Sequence, residues 1–118
     1  MKPLDVIVVM DPIGTIKTAK DSTFAMLLEA QRRGHRLHYV KPGGLAVAGA
    51  LAVARVAPLG VRDDTHEFFE LGGWSQIAFG PGQVVLMRKD PPVDADYLHD
   101  TQLLGMAQRQ GALVANDP

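Results

Sequence analysis

LDVIVVM, residues 4–10, is a near-continuous run of β-branched and aliphatic residues halted by Asp11-Pro12. An uninterrupted apolar run of this length is expected of a strand covered on both faces, as in a parallel sheet. Downstream, Asp21 or Ser22 can cap a helix in which Phe24, Leu27 and Leu28 share a face, with Arg32 and Arg33 in its last turn and Gly34 as its left-handed stop. RLHYV, residues 36–40, alternates and reads as a second strand. Residues 4–40 therefore form a strand–helix–strand unit, whose crossover is expected to be right-handed.

The rest of the chain extends that layer. Leu45 to Ala48 and Leu51 to Ala57 flank Gly49-Ala50 and suggest an inserted hairpin. Thr65 to Leu71 reads as a further exposed strand, followed by a loosely patterned stretch between Gly72-Gly73 and Gly80-Pro81-Gly82. VVLM, residues 84–87, is again a buried-strand run. Asp94 then caps a helix to about Gln110, Gly111 stops it, and ALVA at 112–115 forms a last short strand. Strands alternating with helices imply an α/β layer fold with a mainly parallel sheet.

Composition narrows the function classes. The chain has 118 residues, 47% of them hydrophobic and 21% charged, with 12 Lys+Arg against 13 Asp+Glu. That is ordinary usage for one compact domain, and it leaves no basic excess for non-specific nucleic-acid binding. Zero cysteines exclude a disulfide framework, thiolate metal sites and a cysteine nucleophile. The apolar stretch Leu45 to Ala54 falls far short of the ~20 residues a membrane helix requires. Val6 to Met10 is shorter than the ~7–15 residues of a signal-peptide core. A cytoplasmic protein without membrane or nucleic-acid partners is expected.

In an open α/β sheet the ligand crevice lies beyond the carboxyl ends of the strands, so the segments after strand-like runs are where chemistry is sought. Met10 to Ser22 is longer than the 2–6 residues usual for such a loop, and it gathers Asp11, Lys17, Lys20, Asp21 and Ser22 near a helix N-terminus. A capped surface loop and an anion-binding loop fit these residues equally. The glycine spacing of a dinucleotide fingerprint and the Gly-Lys-Ser/Thr of a phosphate loop are both absent, which removes a nucleotide-binding oxidoreductase reading. The second segment is MRKDPPVD, residues 87–94. Pro91 and Pro92 stiffen it, and Arg88 offers a planar fork suited to a carboxylate or phosphate. Arg88 is read as a ligand contact, against a structural ion pair with Asp11 or Asp90.

Other groupings carry less. Asp63, Asp64, His66 and Glu67 have a metal-ligand composition, but their spacing needs a helix or shaped loop in what looks like strand, so no metal site is assigned. His35, His38 and His99 stand apart, and no serine has a recognisable partner motif. No catalytic residue is assigned within these 118 residues.

With these residues laid out, the chain resembles the N-terminal domain of bacterial glutathione synthetase. The segments that carry the likeness are VVMDP at 8–12, KDSTFAMLLEAQRRGH at 20–35, LMRKDPPVD at 86–94 and GALVANDP at 111–118. It departs from the family pattern in the alanine-rich hairpin Leu45 to Ala57, at Gly80 to Gln83, and at Val93, which replaces an aromatic after the Pro-Pro pair.

The resemblance implies a three-layer, Rossmann-like pre-ATP-grasp domain with a mainly parallel sheet and an inserted hairpin, spanning 1–118, with the ATP-grasp domain outside the chain. It implies a full-length ligase that uses ATP and Mg2+ to join γ-glutamylcysteine to glycine through an acyl phosphate, and that assembles as a homo-oligomer. No cofactor is assigned to this portion, which alone is expected to be inactive. The domain is expected to form one wall of the substrate cleft, with Asp11, Ser22 and Arg88 as its substrate-binding groups. The alternative from another class is a stand-alone small α/β binding or interaction module. The ending Asn116-Asp117-Pro118, directly after a strand-like run, favours the fragment reading.

Overall fold

The computed structural model describes residues 3–10, 22–41, 43–62, 69–88 and 95–116. The elements are β1 (Asp5–Met10), α1 (Ser22–Arg32), β2 (Arg36–Val40), β3 (Leu45–Ala48), β4 (Leu51–Val61), β5 (Phe69–Leu71), β6 (Ser75–Ala78), β7 (Gln83–Arg88), α2 (Ala95–Arg109) and β8 (Leu113–Asn116). The sheet runs β4-β2-β1-β7-β8, with β3, β5 and β6 also paired to the long β4.

β1 explains why helices lie on both sides. Its residues are buried from Val6 to Met10, and their alternation splits them between two cores. Val6, Val8 and Met10 pack with Phe24 and Leu27 of α1. Ile7 and Val9 pack with Leu103, Leu104 and Ala107 of α2. The near-continuous apolar run is thus two interleaved stripes, one per face. Of the face expected of the first helix, Phe24 and Leu27 are 2% and 0% exposed and Leu28 is partly buried against the same core; each full burial contributes about 1.5–3 kcal/mol.

Both helices stop in the same way. At the end of α1 the Gly34 amide bonds the Gln31 carbonyl and the His35 amide bonds the Ala30 carbonyl. At the end of α2 the Gly111 amide bonds the Gln108 carbonyl and the Ala112 amide bonds the Ala107 carbonyl. Gly34 and Gly111 have φ of 85° and 110°, the left-handed geometry that this paired closure requires and glycine adopts without strain.

The expectation of a mainly parallel sheet is corrected. β1 pairs in parallel with β2 and β7, and β7 with β8. The four ladders made by β4, with β2, β3, β5 and β6, are all antiparallel. The sheet is therefore mixed, a parallel centre with an antiparallel wing. The hairpin β3–β4 forms as expected about Gly49-Ala50, but its second arm runs on to Val61, past the expected end at Ala57. Pro58 and Gly60 look like a strand's end in sequence. Pro58 is tolerated because the ladder asks it only for a carbonyl, which accepts the Gly72 amide at 2.8 Å. β6 arises in the stretch read as loosely patterned. Of the strand expected over Thr65 to Leu71, residues 69–71 are strand, and 63–68 lie outside the described residues.

Candidate functional site

The parallel centre brings its strand ends to one edge. Val9 is in register with Val40, Met10 with Arg88, and Met87 with Asn116. Ser22 is the first residue of α1. Because α1 returns the chain from the end of β1 to the start of β2, its N-terminus lies at that same carboxyl edge. The two segments singled out in the sequence thus leave from adjacent strands, Met10 and Arg88 being direct neighbours across the β1–β7 ladder. Asp11, Lys17, Lys20, Asp21 and the run from Lys89 to Asp94 lie outside the described residues. A row of parallel strand ends beside a helix N-terminus is suited to holding an anionic substrate, since unpaired amides and the helix dipole favour negative charge there.

The opposite, amino edge is closed by structural polar groups. Arg36 donates to Asp5 through Nε at 2.8 Å and Nη2 at 3.1 Å, and His38 Nε2 lies 2.9 Å from Asp5 Oδ1. Burial pushes the Asp5 carboxyl up, but hydrogen bonds from His38 and Arg36 outweigh it and hold the group below its ordinary value. His35, which carried no assigned role, accepts the Leu4 amide on Nδ1 at 3.0 Å. These contacts align β1 with β2 and stand at the far end of the strands from Arg88.

A pocket that the sequence did not announce lies just past the end of β2. Lys41, Gly43, Gly44, Arg55 and Trp74 line a cavity of about 270 Å³. Lys41 Nζ sits 4.9 Å from the centroid of the Trp74 ring, a cation–π distance. The same indole packs at a tilt on Tyr39, with centroids 6.1 Å apart. These residues come from three separate segments. A lone tryptophan near Gly72-Gly73 and a glycine pair after a strand were the available signals.

Among the described residues no group of three or more His, Asp or Glu side chains could hold a metal ion. The run Asp63, Asp64, His66 and Glu67 lies outside them. No described helix is long and apolar enough to cross a membrane.

Residues 4–118 match the family described as "Prokaryotic glutathione synthetase, N-terminal domain". Among curated relatives, the glutathione synthetase of Xanthomonas axonopodis pv. citri is 69% identical over 115 residues, covering 98% of this chain and 36% of the relative. That of Xylella fastidiosa (strain Temecula1) is 59% identical over 116 residues, covering 98% of the chain and 37% of the relative. That of Escherichia coli (strain K12) is 43% identical over 111 residues, covering 94% and 35%. The chain therefore spans little more than a third of the length of these relatives.

Proposed function

Since the chain belongs to the family of prokaryotic glutathione synthetase N-terminal domains, we propose that it is the substrate-cleft domain of an ATP-dependent ligase joining γ-glutamylcysteine to glycine. In that reaction the γ-phosphoryl group of ATP passes to the cysteinyl carboxylate of the dipeptide. The glycine amine then attacks the acyl phosphate, the new amide bond forms and inorganic phosphate leaves. The observation that carries the reading for this chain is the register of Met10 with Arg88, which starts the two candidate loops side by side at the carboxyl edge of the parallel strands.

On this reading Arg88 pairs with a substrate carboxylate and Ser22, with the amides of the first turn of α1, meets an anionic group. Asp11 holds a substrate amine or orients Arg88. The parallel centre corresponds to a pre-ATP-grasp, Rossmann-like layer, and the wing around β4 is added to it. Magnesium would supply charge neutralisation on the nucleotide phosphates, and the described residues offer no ligand set for it. ATP, its metal and the phosphoryl-transfer groups belong to the ATP-grasp domain of the longer protein, a cytoplasmic homo-oligomer. Leu113 on β8 is 65% exposed, an apolar group that the longer protein would cover.

The test is the full-length protein. Phosphate release from ATP should require γ-glutamylcysteine and glycine together. Release that ignores the dipeptide, or that follows a different carboxylate and amine better, would overturn the assignment.

A further inference from the structure

The ladders on the two flanks of β4 break at adjacent levels, at residues 55–56 on one flank and 57–58 on the other. On one flank β2 pairs as far as Tyr39 with Ala57, and β3 resumes at Leu45 with Ala54. Arg55 bridges that gap by donating its amide to the Gly44 carbonyl at 2.9 Å. On the other flank β6 pairs as far as Ser75 with Val56, and β5 resumes at Leu71 with Leu59. Gly72, Gly73 and Trp74 fill that break. Lys41 leaves one flank and Trp74 the other, yet the ammonium sits over the indole. The two therefore close across β4, on the face to which alternation also assigns Arg55, together with Leu59 and Val61 of the α1 core.

Two cations line this cavity without a counter-charge among the described residues. Arg32 and Arg33 pair with Glu29, Arg36 with Asp5, and Arg62 with Glu70. Neither Lys41 nor Arg55 has a carboxylate partner among the described residues. Two like charges around one cavity repel, and a bound anion relieves that repulsion. The backbone wall is kept bare by Gly44, where a Cβ would stand 2.8 Å from Val40 Cγ1 and 3.0 Å from the Lys41 carbonyl oxygen.

We propose that Lys41, Arg55 and Trp74 form a subsite for a small oxyanion, a carboxylate or phosphate group held by the two cations against the indole. The subsite stands independently of the ligase reading, because none of its residues lies on the loops after β1 and β7.

Trp74 is the single tryptophan of the chain, so it reports occupancy directly. Its fluorescence should change saturably on titration with inorganic phosphate or with succinate, and not with sodium chloride at matched ionic strength. Saturation by phosphate alone would assign a phosphate ligand, and by succinate alone a carboxylate ligand. Lys41→Ala and Arg55→Ala should each weaken binding by about tenfold or more, the usual effect of deleting a charge-assisted hydrogen bond. Both side chains are on exposed residues, so the variants should fold, which far-ultraviolet circular dichroism checks. No saturation by either anion, or affinities unchanged in both variants, would overturn the proposal.

Discussion

The carboxamide of Gln31 acts as a strand partner for Val61: its Oε1 accepts the Val61 amide at 2.8 Å and its Nε2 donates to the Val61 carbonyl at 2.7 Å. Gln110 does the same at the other end of β4, accepting the Ala52 amide at 2.7 Å and donating to the carbonyls of Ala52 at 3.1 Å and Phe79 at 3.0 Å. A strand that outruns its neighbours leaves backbone groups unpaired at its ends. Here the last turn of α1 and the residue following α2 satisfy them, which ties both helices to the antiparallel wing.

Gln31→Ala should therefore destabilise the fold by about 1–3 kcal/mol, the cost of leaving buried backbone groups without partners. Gln110→Ala should cost at least as much, since three bonds are lost and Ala52 is fully buried. Urea unfolding of the chain measures both. A loss below ~0.5 kcal/mol for either, the scatter of ordinary surface substitutions, would show that water replaces the amide.

The amino-edge cluster predicts a defined acid response. Asp5 is held below its ordinary value of 3.8 in the folded chain, so its contribution is complete above that pH and is lost as pH falls through the folded value. Asp5→Asn should lower stability at neutral pH and flatten the stability curve below pH 3.8. Glu29 offers the contrast. Hydrogen bonds from Arg32 and Arg33 hold its carboxyl down to about 2, but all three side chains are exposed, and screened surface pairs contribute little. Glu29→Gln should leave neutral-pH stability nearly unchanged. A larger loss at Glu29 than at Asp5 would reverse this ranking.

The two helix stops should differ in tolerance. Gly34→Ala meets open space and only the left-handed backbone penalty, about 1–2 kcal/mol. Gly111→Ala carries the same penalty and adds a Cβ 2.9 Å from Pro81 Cγ and 3.0 Å from Pro81 Cδ. Thermal unfolding should place Gly111→Ala clearly below Gly34→Ala. Equal melting temperatures would mean that the Pro81 turn moves aside freely.

For Arg88, replacement by alanine in the full-length enzyme should lower kcat/KM by roughly ten- to a hundred-fold, the equivalent of losing a charge-assisted contact of ~1.5–3 kcal/mol. Lysine should rescue little, because a point charge cannot reproduce a bidentate fork. Near-normal kinetics with a lowered melting temperature would instead make Arg88 a structural partner of Asp11 or Asp90.

Local pattern was enough to specify the strands and helices that make up the parallel centre. The apolar runs at 6–10 and 84–87, the Phe24–Leu27 face of α1 and the glycine stops at 34 and 111 express burial and backbone geometry within a few residues of each other. So did the placing of candidate loops after β1 and β7, since strand order within a strand–helix–strand unit follows from the chain itself. The identity of Arg88 as a candidate was legible for the same reason, and its neighbour Met10 was settled by register.

The wing was decided by tertiary structure. Whether Pro58 and Gly60 end a strand depends on what lies on each flank, and here β2, β5 and the Gln31 carboxamide supply the partners that let β4 continue to Val61. SQIA at 75–78 has no strand pattern of its own and becomes β6 because Val53 to Val56 offer an unpaired edge. The pocket of Lys41, Arg55 and Trp74 exists only after the breaks on the two flanks of β4 fall next to each other, at residues 55–56 and 57–58. Burial preference acts residue by residue and is written along the chain, whereas the direction and partner of a pairing depend on residues far apart in sequence, so only the folded sheet could choose them.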